Sequence, residues 1–144
     1  MPVSEVKHVN EAVIAEFRAN AGKVGGILDG IPVVLLHHTG AKTGQPRITP
    51  LCLFELGDRR FVPGSFSGRP IDPAWVHNVR AHPDIRAEIG THTYTATARE
   101  LPTTERDPIF NQLAETIPTY AQYQARTERV IPIFELTNLR RIDN

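Results

Sequence analysis

The sequence predicts an α+β fold, a mostly antiparallel barrel carrying peripheral helices. Three observations carry that expectation. Short apolar or alternating runs follow one another through tight turns, helical stretches sit between groups of such runs, and the regular strand–helix alternation of a doubly wound parallel sheet is missing.

The elements follow in order. Val9, Val13, Ile14 and Phe17 recur at helical spacing, so the first helix is expected at about 9–20, before Gly22, Gly25, Gly26 and Gly30 break the pattern. Val33 to His37 reads as a buried strand, Ile48 to Leu56 as a second and Arg60 to Pro63 as a third after the "GDR" turn. Pro50 cannot donate to a ladder and so predicts an edge or a bulge in the second strand. Asp72-Pro73 opens the clearest helix, with the aspartate as expected cap, and His82-Pro83 closes it.

"DIRAEIG" and "TYTATARE" alternate around Gly90-Thr91 and predict a β-hairpin. Thr103 or Thr104 then caps a helix through "RDPIFNQLAETI", Pro118 breaks it, "TYAQYQART" forms a second short helix, and "VIPIFEL" is the last strand. The expected order is α-βββ-α-ββ-αα-β in one domain spanning 1–144.

Sixteen basic residues balance sixteen acidic ones. The global pull of a nucleic-acid binder is therefore absent, and any anion site must be local. One cysteine, Cys52, excludes an intrachain disulfide framework, and "MPVSEVKHVNEAV" lacks the pattern of a secretion signal, so a cytoplasmic protein is the simplest reading. No window is long and apolar enough to span a bilayer. "VNEAVIAEF" is short and amphipathic; it suits peripheral membrane contact or packing on a core, and its acids and lack of a basic face favour packing.

Chemistry concentrates in "HHTGAKTGQPR", between two strand candidates. Glycines allow close backbone approach, Thr39 and Thr43 offer hydroxyls, and Lys42 and Arg47 offer charge-assisted bonds to phosphate or carboxylate. The competing reading is an ordinary solvated hairpin loop. A Walker A loop is excluded because Lys42 precedes Gly44 and no helix follows. A second cradle of backbone and hydroxyls is expected at Gly64, Ser65, Ser67 and Gly68, with Arg69 nearby and Trp75 in the first turn of the next helix. His37 and His38, adjacent on a strand, point to opposite faces, and His8, His77, His82 and His92 make no ligand spacing, so no metal site is expected. Cys52 reads as an inert buried thiol; Ser65 and His77 lack a nucleophile-elbow context.

"GAKTGQPRITPL", "GSFSG" followed by "DPAWVHNVRAHP", "TATARE" and "IPTYAQYQARTERVIPIFEL" resemble the deazaflavin (F420)-dependent nitroreductase family from about Val33 to Leu136. The resemblance implies a split β-barrel of the FMN-binding split-barrel type and coenzyme F420 as cofactor. It implies that Lys42 and Arg47, with Thr43 and Gly44 of the same motif, hold the coenzyme's phosphate and polyglutamate tail. Thr49, Pro50 and the run Gly64, Ser65, Phe66, Ser67 and Gly68 are implied beside the ring, with Pro73, Ala74, Trp75 and Asn78 as pocket wall or support. Tyr120 and Tyr123 match tyrosines that cover the substrate side, where a phenol can donate a hydrogen bond or proton, or line the pocket. Phe66 stands where some relatives have lysine, and Ile117 where nitroreductase-active members have a further tyrosine, two departures from the family pattern that bear on nitroimidazole reduction.

The implied function is hydride transfer from the reduced deazaflavin to a small conjugated acceptor: a quinone, enone or nitroaromatic. Two alternatives stand beside it, an FMN-dependent split-barrel oxidoreductase and a non-catalytic carrier of deazaflavin or a lipophilic ligand. Split barrels often dimerise, which admits a homodimer with a shared site.

Overall fold

A computed structural model of the protein describes residues 3–25 and 30–143, with residues 3–9 and Ser67 described by backbone alone. Helix α1 (Val3–Ala19) precedes four strands, β1 (Val33–Thr39), β2 (Pro46–Cys52), β3 (Phe54–Leu56) and β4 (Arg59–Pro63). A single 3-10 turn (Phe66–Gly68) leads to helix α2 (Ala74–Ala81), the hairpin β5 (Asp84–Ile89) and β6 (His92–Glu100), helices α3 (Thr103–Thr116) and α4 (Thr119–Ala125), and strand β7 (Ile133–Arg141). No described helix is long and apolar enough to cross a membrane.

All strands join one antiparallel seven-stranded sheet in the order β2-β1-β5-β6-β7-β4-β3. The expected single strand Ile48–Leu56 is instead two, β2 and β3, broken at Leu53. They are successive in the chain yet lie at opposite ends of the sheet order, so the sheet curls until its two edges meet at Leu53. That residue leaves the ladder to donate its N–H to the Pro32 carbonyl at 2.8 Å and buries its side chain in the core. Pro50 lies on the edge strand β2, opposite Leu35 of β1, as a residue without an N–H requires. The Gly90-Thr91 hairpin forms as expected, Ile89 facing His92.

The inner face of the curl carries Val34, Leu36, Ile85, Ala87, Ala96, Ala98 and Leu136, packed against Trp75, Val76 and Val79 of α2. On the outer face α1 covers Val33 and Leu35 through Phe17, while α3 and α4 cover Phe54, Phe61 and Ile133 through Ile109, Phe110, Leu113 and Tyr120. The alternation along β1 therefore divides its residues between two cores.

Three local expectations are corrected. Helix α1 starts at Val3, six residues before the apolar spacing begins. Asp72 does not cap α2; Pro73 holds the cap position without a side-chain bond, and both Asp72 carboxylate oxygens accept from arginines, Arg80 at 3.0 Å and Arg129 at 2.9 Å. Two guanidinium partners outcompete a neutral backbone N–H for a carboxylate. Neither Thr103 nor Thr104 caps α3, whose cap position is Pro102; the helix begins with Thr103.

Candidate functional site

The β1–β2 turn is closed by two backbone bonds, Gly40 N–H to the Gln45 carbonyl and Gly44 N–H to the Gly40 carbonyl, both at 2.9 Å. A Cβ on Gly40 would come within 2.5 Å of Thr43 Oγ1, so the turn closes around a position only glycine fits. Thr43 Oγ1 accepts from Gln45 N–H at 3.2 Å, which shapes the turn from inside. From α2, Asn78 Oδ1 accepts the Ala41 N–H at 2.9 Å and ties the turn to the helix.

This bond builds a pocket of about 590 Å³, lined by Gly40, Ala41, Lys42, Thr43, Arg47, Ala74, His77 and Asn78. Lys42 and Arg47 are exposed on its rim, and neither pairs with a carboxylate among the described residues. Most other arginines do: Arg18 with Glu88, Arg59 and Arg99 with Glu135, Arg80 with Glu100, Arg129 with Asp72. In a chain of zero net charge these two unpaired cations leave a local excess of positive charge at the rim.

Beyond Ala74, which belongs to both walls, lies a second cavity of about 570 Å³. Thr49, Pro50, Leu51 and Cys52 of β2 form one side, Pro73, Ala74 and Trp75 another, and Ser65, Phe66, Pro63 and Tyr120 close it. Its walls are mainly apolar, the surface a fused aromatic ring needs. Trp75 serves the core and the site together: it is 5% exposed, packs edge-on against Phe134 at 5.5 Å, and still lines the cavity.

The Gly64–Gly68 loop is held from outside the motif. Arg129 donates to the carbonyls of Gly64 at 3.1 Å, Ser65 at 2.7 Å and Arg69 at 2.8 Å, and to Asp72 at 2.9 Å. Its carbonyls thus face Arg129, which turns the Phe66 side chain toward the cavity in a left-handed conformation, φ 46°. The Arg69 guanidinium lies over that ring at 4.5 Å. Gly68, φ 77°, backs onto α4, where a Cβ would stand 2.6 Å from the Tyr123 carbonyl oxygen.

Tyr120 lines the cavity and is buried. Burial, then the neighbouring Cys52 thiol, push its pKa far above the ordinary phenol range. Burial likewise pushes the Cys52 thiol up, which keeps it protonated and unreactive. Tyr123 lies behind Tyr120, in edge-on contact at 5.6 Å, and does not line the cavity; nor does Ile117.

Of the expected site residues, Lys42, Thr43, Arg47, Ala74 and Asn78 meet at the first pocket, and Thr49, Pro50, Ser65, Phe66, Pro73, Ala74, Trp75 and Tyr120 at the second. Gly44, Gly64 and Gly68 shape the backbone without lining either, and the Ser67 side chain lies outside the described residues. Sequence reasoning missed Arg129, which lies in the quoted closing motif without a role assigned to it, and Asn10 of α1, which reaches the second cavity from near the start of the chain. It also missed that His38 is part of the framework. His38 is 4% exposed, Asn78 Nδ2 stands 3.0 Å from its Nδ1, and its Nε2 lies 2.9 Å from Thr49 Oγ1. His37, on the opposite face, pairs with Glu88 at 2.6 Å.

The sequence matches the family model described as F420H(2)-dependent quinone reductase over residues 10–138. An F420H(2)-dependent quinone reductase of Mycobacterium tuberculosis is 37% identical over 129 residues, 85% of each chain. Among solved structures, an F420-H2 dependent reductase (FDR-A) superposes with TM-score 0.66 at 37% identity, over 78% of this chain and 99% of its own. A protein solved as a domain-swapped dimer superposes with TM-score 0.68 at 33% identity, over 92% and 98%. A pyridoxamine 5'-phosphate oxidase-like protein from Listeria innocua, 10% identical with TM-score 0.53, shares the split-barrel fold alone. With a family model matched over most of its length and a relative 37% identical over 85% of each chain, the chain belongs to the F420H(2)-dependent quinone reductase family.

Proposed function

We propose that this protein binds reduced coenzyme F420 across the two pockets and passes its hydride to a quinone. The observation that carries the reading is their shared wall at Ala74: a pocket rimmed by two unpaired cations stands next to a mainly apolar slot. An anionic tail and an uncharged ring joined in one molecule need that pairing, and family membership removes the need for FMN. When bound, the coenzyme supplies the hydride from its ring carbon. The chain's own work is to bind, orient and exclude water.

In this reading Lys42 and Arg47 hold the tail's phosphate and carboxylates through charge-assisted bonds, with Thr43 and Gly44 setting the turn that carries them. Pro50, Phe66, Pro73, Ala74 and Trp75 wall the ring, and Ser65 offers a hydroxyl at its edge. Gly64, Ser67 and Gly68 set the loop's path. Tyr120 covers the open side as apolar lining. A buried phenol whose pKa is pushed far up is a poor proton source, so the reduced acceptor takes its proton from water. Tyr123 acts by holding Tyr120 in place.

Titrating the protein with oxidised F420 and with FMN, by fluorescence, tests the binding half. Tight FMN binding with none for F420 overturns it. Reduced F420 is then mixed anaerobically with a quinone, an enone and a nitroaromatic, and its reoxidation followed; the quinone is expected to turn over fastest. A coenzyme that binds and is never oxidised marks a carrier instead. The domain-swapped relative supports a homodimer, which light scattering tests.

A further inference from the structure

We propose that Thr49 presents its hydroxyl proton to the slot as a fixed hydrogen-bond donor, locked in that role by Asn78 and His38, and so reads an acceptor atom on the coenzyme's ring edge. The acceptor is a carbonyl oxygen or a bare ring nitrogen. The inference rests on the slot being the ring site and adds a polarity to one point of it.

The lock is a chain of hydrogen bonds whose directions follow one from another. The Ala41 N–H can only donate, so the atom of Asn78 that it meets at 2.9 Å is the carbonyl oxygen. The amide nitrogen of Asn78 must then face His38 Nδ1, 3.0 Å away. An amide –NH₂ only donates, so Nδ1 is the bare, accepting nitrogen of the ring. The imidazole proton therefore sits on Nε2 and points at Thr49 Oγ1, 2.9 Å away.

Nothing in the surroundings reverses this order. His38 is 4% exposed, and burial first, then Arg47 and His37, push its pKa down to about 4. The ring stays neutral near pH 7, with one proton in one place. Thr49 Oγ1 is thus always an acceptor toward His38, and its own proton has no acceptor among the described residues. Thr49 stands opposite Leu36, a core residue of the sheet's inner face, and lines the slot. The hydroxyl proton is left to the slot, where a ring edge with a lone pair is favoured over an N–H. His38 and Asn78 are positioning residues: they reach the ligand only through Thr49. Thr49 lends a hydrogen bond and keeps its proton, because the bare Nδ1 has none to pass on.

The test compares wild type, Thr49→Val, Thr49→Ser and His38→Asn by fluorescence titration with oxidised F420. The infrared carbonyl bands of the bound coenzyme are recorded alongside. Thr49→Val is expected to bind about tenfold more weakly, the scale of one net hydrogen bond, with a carbonyl band moved to higher frequency. Thr49→Ser keeps affinity and band within about twofold and unshifted. His38→Asn frees the hydroxyl to turn, which broadens the band and costs an intermediate loss. Normal affinity and bands in Thr49→Val, in a protein whose binding Lys42→Ala weakens, overturn the inference and leave the coenzyme site standing. Absence of F420 binding by wild type overturns both. If Thr49→Val fails to fold, as reported by Trp75 fluorescence, the serine and asparagine variants decide: equal bands in wild type and His38→Asn overturn the lock.

Discussion

Acidification should release the turn by protonating His38. The histidine is pushed down to about 4 from 6.5, so between these values the unfolded chain binds a proton that the folded chain refuses. Its contribution is present in full above the unfolded value and is lost as pH falls toward the folded one. The arithmetic for this group gives a loss of about 2 kcal/mol at pH 5 and about 3 kcal/mol at pH 4, relative to pH 7. The structural cause is explicit: a proton on Nδ1 would face the amide protons of Asn78 at 3.0 Å, and turning the amide would abandon the Ala41 N–H.

Other groups also respond to acid. Burial raises the Glu88 carboxyl but Arg18 and His37 lower it more, and Arg59 and Arg99 hold Glu135 down against burial. A partner variant isolates His38. In His38→Asn the Oδ1 replaces Nδ1 as the acceptor for Asn78, and nothing at that position titrates. Urea unfolding followed by Trp75, the single tryptophan and a core residue, gives stability for both proteins at pH 7, 6, 5 and 4. Wild type should lose about 2–3 kcal/mol more than His38→Asn across that range. Parallel pH profiles would refute the argument that His38 is buried neutral in this network.

Three further outcomes follow from the same contacts. Lys42→Ala and Arg47→Ala should each weaken F420 at least about tenfold while changing unfolding free energy by less than about 0.5 kcal/mol, since both are exposed and unpaired; calorimetry and urea unfolding read the two effects. Arg129→Met should cost about 3 kcal/mol by leaving the carbonyls of Gly64, Ser65 and Arg69 without their guanidinium donor and Asp72 with Arg80 alone, and should weaken F420 by freeing Phe66; Arg129→Lys recovers part of the loss. Gly68→Ala should cost about 1–3 kcal/mol, because its left-handed φ of 77° and the 2.6 Å approach to the Tyr123 carbonyl leave no place for a methyl group, and thermal unfolding reads it.

Local pattern was legible and long-range partnership was not. Alternation around Gly90-Thr91 shows in the residues themselves, since a strand's two faces repeat every second position. The Lys42–Arg47 turn and the Trp75 helix were legible as motifs, each a contiguous stretch. Leu53 gives no such sign: "LCLF" around it is an unbroken apolar run, and only the curl of the sheet sends the two halves of "ITPLCLFEL" to opposite edges. Asp72 before Pro73 carries a helix-cap signature, yet Arg129, 57 residues away, takes its carboxylate.

By itself the sequence determined that the chain forms an antiparallel sheet with helices between its strand groups, and that Lys42 and Arg47 concentrate in one turn between β1 and β2. Tertiary structure decided that the pocket at this turn shares the Ala74 wall with an apolar slot, that Arg129 holds the slot's loop, and that His38 and Asn78, 40 residues apart, meet. The physical reason is that periodicity and turn chemistry are properties of neighbours in the chain, whereas a cavity and a buried hydrogen-bond network exist only once distant segments have displaced the water between them.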